Sequence, residues 1–175
     1  RTLFLAAVTA MSLPLSAGAS GLDGFSSFYA FGDSTTDPGN AAAAVFGRPI
    51  SPIPGVYPNG WFSDGAPWAV RLGADFASGR NYAFGGATAV TSPAVDLTLP
   101  GAQVTLDIPD LPDQVDSFVS GVATGAIEPG PNGLAGLWVG GNDLRNAETR
   151  AELATAVRGA VTSITRNVGR LLDAG

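Results

Sequence analysis

Short apolar runs alternate with long stretches of turn residues along this chain, and the runs are of two kinds. "SSFYAFGDS" gathers Phe28, Tyr29, Ala30 and Phe31 without a polar break, "NYAFGGATA" follows around Tyr82 to Phe84, and "LAGLWVGGND" spans Leu134 to Val139. Continuous runs of this length predict strands buried on both faces of a parallel sheet. The second kind has helical spacing. Leu111, Val115, Phe118, Val119 and Val122 recur at threes and fours, which predicts an amphipathic helix. Leu153, Val157, Val161, Ile164, Val168 and Leu171 keep one face of a longer helix, opened by a capping box at Thr149 and Glu152. "DGAPWAVRLGADF" predicts a short helix carrying Trp68, Val70 and Leu72, with Asp64 as N-cap and Pro67 in its first turn.

Between these elements, residues 35–67 ("TTDPGN", "SPIPGVYPNG") read as a long surface loop with a short helix at 40–46, and residues 91–109 as a second loop. The order strand, loop and helix, strand, helix, strand, helix argues for an α/β fold: a parallel sheet with right-handed crossovers and helices on both faces. Three strands make a thin sheet with an open edge. No strand follows the last helix, which ends in "LLDAG", so the domain is expected to continue past Gly175.

Composition narrows the chemistry. Hydrophobic residues make up 45% of the 175 and charged residues 14%, which places the chain among globular proteins rather than disordered ones. Net charge is −6, and the nine basic residues are all arginine without forming a stripe. That excludes the electrostatic footprint of a nucleic-acid partner. Cysteine and histidine are both absent, so no disulfide, thiol nucleophile or zinc site is expected. The spacing Asp107, Asp110, Asp113, Asp116 lacks the glycine and glutamate of a calcium loop and reads as a solvated helix face. No G-x-G-x-x-G stands where a dinucleotide would need it, and no cofactor is expected. The first residues, "RTLFLAAVTAMSLPLSAGASG", place Arg1 before an apolar run from Leu3 to Leu13, then Pro14 and small residues. This is the pattern of a secretory signal peptide over residues 1–19, with Ala17 and Ala19 at the cleavage site. The run is shorter than the roughly 20 residues of a membrane anchor. Residues 20–175 would then be secreted, periplasmic or on the cell surface, with no stable membrane span.

Each predicted strand ends in residues with chemical potential: Ser34 after the first, Gly86 after the second, Asn142 after the third. Sites in open α/β sheets form at the carboxyl ends of the strands. Acyl transfer needs a nucleophile and donors aimed at the oxygen that becomes negative, each donor worth about 3 kcal/mol in the transition state. Ser34 offers a hydroxyl and its own N–H, Gly86 an unshielded N–H, and Asn142 a carboxamide. Taken singly, Gly-Asp-Ser is an ordinary turn, "FGGATA" suits close helix–strand packing, and "GGND" suits a turn.

Taken in order, the three blocks resemble the GDSL esterases and lipases, also called SGNH hydrolases. "FGDSTTDPGN" is similar to the family's first block, with Thr35 where many members have leucine; "NYAFGGATA" to its second; "VGGND" to its third. "YPNGWFSDGAPWAVRLG" and "LPDQVDSF" resemble the segments between them, so the likeness covers roughly residues 26–175. It implies a three-layer αβα, flavodoxin-like parallel sheet cut off after its third strand and following helix. It also implies Ser34 as nucleophile, and Gly86 and Asn142 in the oxyanion hole. The family's acid and base come from a later Asp-x-x-His block rather than from Asp33, and this chain has no histidine. The implied activity is hydrolysis of small-molecule or lipid carboxylic esters through an acyl-enzyme, with little or no turnover by these residues alone. A secreted non-catalytic binding module on the same scaffold and an acyltransferase remain the alternatives. Ile50, Ile53, Val56, Tyr57, Trp61 and Phe62 either line an acyl groove or cover the core.

Overall fold

The computed structural model describes residues 22–50, 58–99, 102–145 and 147–175 of the chain, as a mixed α/β arrangement. Residues 1–19, expected from the sequence to be a signal peptide, lie outside them, as do Ile53, Val56 and Tyr57. Strand β1 is Ser27–Gly32, and all six of its residues are buried. After it come α1 (Asn40–Phe46), a 3₁₀ turn (Pro58–Gly60) and α2 (Trp68–Arg71). A hairpin, β2 (Val95–Leu99) with β3 (Ala102–Leu106), leads to α3 (Leu111–Ala123), β4 (Gly133–Trp138), α4 (Gly141–Leu144) and α5 (Arg150–Ala174).

β1 and β4 pair in parallel from Ser27 opposite Gly133 to Gly32 opposite Trp138. Alternation along β1 sends its side chains to two separate cores. Tyr29 and Phe31 pack with Leu111, Val115 and Phe118 of α3 and Leu171 of α5. Phe28 and Ala30 pack with Ala69 of α2 and with Ala74. The first core is knit by aromatic rings: Phe31 stacks on Tyr82 at 5.2 Å, and Phe118 meets Tyr29 and Phe31 edge-on.

The second expected strand is reduced to a single bridge, Ala30 to Asn81. The segment nevertheless runs along the free side of β1, because Ala30 N donates to Arg80 O, Tyr82 N to Ala30 O and Phe84 N to Gly32 O. Asn81 disrupts regular pairing: its amide donates to Thr36 O and Ala74 O and accepts from Ala83 N, so the side chain takes over ladder positions.

Other expectations are corrected. Residues 91–109 are not simply loop; β2 and β3 form an antiparallel hairpin with Val95 opposite Leu106. The alternating Val, Leu and Thr of its two strands suit a hairpin. The loop after Ser34 is not all at the surface, for Thr36, Asp37, Pro38 and Gly39 are buried. Pro67, not Asp64, precedes the first turn of α2, which is only four residues long. Asp110 is no solvated residue: it is fully buried and caps α3. β4 is not a buried strand, since Gly133, Ala135 and Trp138 are exposed. The apolar face of α5 is also uncovered at Leu153, Val157, Val161 and Val168, while Ala160, Asn167 and Leu171 bury.

No helix among the described residues is long and apolar enough to cross a membrane.

Candidate functional site

Gly32 ends β1 and sets the geometry that follows. Its φ of +147° leaves the Trp138 carbonyl oxygen in the space a β-carbon would occupy, so only glycine lets β1 and β4 close here. Asp33 N continues the pairing by donating to Trp138 O at 3.1 Å. Gln114 of α3, itself buried, supplies what a strand would. Its Oε1 accepts from Gly32 N at 2.8 Å and its Nε2 donates to Gly32 O at 2.9 Å.

Ser34 is the next residue but one, half-buried in the turn. Among the described residues neither its hydroxyl nor its N–H makes a hydrogen bond. Asp33 does not serve it: Asp33 Oδ1 accepts from Thr35 N at 3.0 Å and Thr35 Oγ1 at 2.8 Å, an Asx-turn that fixes the bend. Thr36 N and Asp37 N both donate to Asp33 O. A buried carboxylate at Asp37 then joins the first block to the second. Its Oδ1 accepts from Gly39 N and Asn40 N, and its Oδ2 from Ala41 N and, at 2.7 Å, from Gly85 N. Burial pushes the Asp37 carboxyl above its ordinary value, with the four N–H donors opposing. Asn40 adds two bonds to the same neighbour, Nδ2 donating to Asn81 O and Ala83 O.

Gly86 has φ +92°, and a β-carbon there would lie 2.9 Å from Ile108 Cδ1, so its main chain stays bare. Its N–H has no acceptor among the described residues. Asn142, in α4, reaches the residue beside it: Nδ2 donates to Ala87 O at 2.8 Å, while Arg145 Nη2 donates to Asn142 Oδ1 at 2.8 Å. The arginine fixes which end of the carboxamide is the donor, and among the described residues the second Nδ2 hydrogen has no acceptor. Asp143 holds the same loop, accepting from Ala89 N at 2.8 Å and Val90 N at 3.2 Å. Asp110 completes the anchorage by accepting from Thr88 and Ser92, main chain and hydroxyl alike.

Ala83, Gly32 and Trp138 therefore form one row across three parallel segments, since Ala30 bridges Asn81 and Gly32 pairs with Trp138. Ser34, Gly86 and Asn142 leave that row within two to four residues of it, and Asn142 and Gly86 are joined through Ala87. Trp61 and Phe62 divide: Trp61 is half-buried with Nε1 donating to Pro38 O, and exposed Phe62 lays its ring over Gly85.

Sequence reading missed Asp37, Asn40, Asn81, Asp110, Gln114 and Asp143. One carried a signal. Gln114 stands three residues after Leu111 and four before Phe118, on the apolar face of α3, where a polar residue implies a buried partner. The others sit in turn-rich text where Asp and Asn are commonplace.

Among the described residues no cluster of acidic side chains could hold a metal ion. No protein-family model matches the chain, and no curated protein matches it.

Proposed function

We propose that this chain forms the nucleophile and oxyanion half of a serine ester hydrolase of the GDSL type, built on a three-layer αβα, flavodoxin-like sheet. Ser34 Oγ attacks the ester carbonyl. The developing oxyanion is held by the N–H groups of Ser34 and Gly86 and by Asn142 Nδ2. Collapse expels the alcohol and leaves acyl-Ser34, which water hydrolyses. The base belongs to the Asp-x-x-His block that the resemblance assigns to such enzymes, since these 175 residues hold no histidine. The observation that carries the reading is the bond from Asn142 Nδ2 to Ala87 O. It ties the third block to the residue after Gly86, and the first block reaches the same stretch through Asp37 Oδ2, which accepts from Gly85 N. The lack of histidine favours a second reading, a secreted binding module that keeps the scaffold without the chemistry.

Imidazole supplied in solution separates the two. With p-nitrophenyl acetate, imidazole accepts the Ser34 proton, Oγ bonds the acetyl carbon and p-nitrophenolate leaves. Peptide mass mapping is expected to find acetyl-Ser34, formed roughly 100-fold more slowly in Asn142→Ala. Acetylation scattered over other hydroxyls, or equal in Asn142→Ala, refutes the hydrolase reading.

A further inference from the structure

Away from Ser34, a concavity of about 590 Å³ lies between α5 and the 90–91 segment. Thr155, Arg158, Gly159, Thr162, Ser163 and Arg166 form its α5 side, with Val90, Thr91 and Pro112 opposite. None of Ser34, Gly86 or Asn142 lines it. Its charge is one-sided: two guanidiniums, four hydroxyls and no carboxylate, in a chain whose net charge is −6.

An exposed arginine is ordinary by itself; these two differ in where they stand. Arg158 Nη2 donates only to Thr155 Oγ1, and Arg166 has no hydrogen bond or ion pair among the described residues. Arg170, one turn beyond, is neutralised by Asp116 of α3. Arg158 and Arg166 are eight residues apart, about 12 Å along the helix axis, and about 80° apart around it, with Thr162 midway. They therefore flank one trough. Its opposite wall is rigidly held. Val90 N is bound by Asp143, Ala89 O accepts from Ser163 Oγ, and Ser92 is bound by Asp110.

Guanidinium forks recognise carboxylate and phosphate oxygens in pairs. We infer that this trough is a binding site for an elongated polyanion, with phosphate or carboxylate groups engaged by Arg158 and Arg166 and hydroxyl donors from Thr91 and Thr162 between them. The site is independent of Ser34 chemistry.

The test is titration of the intact chain at low ionic strength with tripolyphosphate in one arm and citrate in another, read by amide chemical shifts and calorimetry. Binding is expected in at least one arm, which identifies the oxyanion class. Shifts should centre on residues 90–91 and 155–166. Arg158→Gln and Arg166→Gln should each weaken it roughly tenfold, whereas Arg150→Gln, on the same helix outside the trough, should leave it unchanged. The conservative pair Arg158→Lys and Arg166→Lys should retain part of the affinity, which a variant that had merely lost its fold would not. No binding in either arm, or equal loss in Arg150→Gln, overturns the proposal.

Discussion

Asp37 accepts four main-chain N–H groups through two carboxylate oxygens, three from the turn that starts α1 and one from Gly85. Its raised pKa means the folded state holds this proton more tightly than the unfolded chain does. The stability linked to that preference is present in full below the ordinary carboxylate range and is lost as pH rises through the raised value. Asp37→Asn removes the ionisation but turns an amide donor toward two of the N–H groups. The unsatisfied buried donors outweigh the relief of desolvation. Asp37→Asn is expected to lower stability by about 3 kcal/mol in urea unfolding, and to loosen the Gly85 amide in hydrogen exchange. An unchanged midpoint would show that the carboxylate's desolvation cost cancels its bonds. Sequence alone marks Ser34, Gly86 and Asn142 because they sit where apolar runs end. It does not mark Asp37, because nothing in "TTDPGN" distinguishes a residue that bends its own turn, as Asp33 does, from one that reaches another segment 48 positions away.

At the scale of elements, α5 shows a start that is legible and a face that is not. Thr149 Oγ1 accepts from Glu152 N at 3.2 Å, and Glu152 Oε2 accepts from the N–H groups of Glu148 and Thr149. These bonds pull the Glu152 carboxyl below its ordinary value. A depressed carboxyl gives stability that is present above its unfolded pKa and lost as pH falls through the folded one. The first turn of α5 should therefore fray on acidification through and below the ordinary carboxylate range, seen as faster amide exchange at Glu152 and Leu153. Glu152→Gln should flatten this dependence; a Glu152→Gln profile that keeps the wild-type acid limb would place the titration elsewhere. A cap is written in four adjacent residues, so sequence suffices for it. Which apolar positions bury depends on what packs against the helix, and α3 packs with the side bearing Ile164 and Leu171. The hairpin was hidden for a related reason: short strands that pair only with each other leave no buried run to detect.

For the molecule as a whole, the layers at β1 agree with a parallel sheet clothed on two faces, while β4 departs from it. Parallel strands are ordinarily covered on both sides, yet Trp138 is 61% exposed, and Val161 and Leu172 of α5 are 57% and 77% exposed. Among the described residues no strand pairs with the outer side of β4. Exposed edges and apolar stripes promote association, and the charge that opposes it vanishes near the isoelectric point of about 4.3. Self-association in sedimentation velocity is thus expected to rise as pH falls from neutrality toward that value. Trp138→Lys combined with Val161→Lys should suppress it, because lysine at an edge strand obstructs further pairing. Neither side chain is buried, so the melting midpoint should correspond to a change within roughly 0.5 kcal/mol. A double variant that associates as before would move the sticky surface elsewhere; one that melts much earlier would mean that Trp138 or Val161 supports the core despite its exposure.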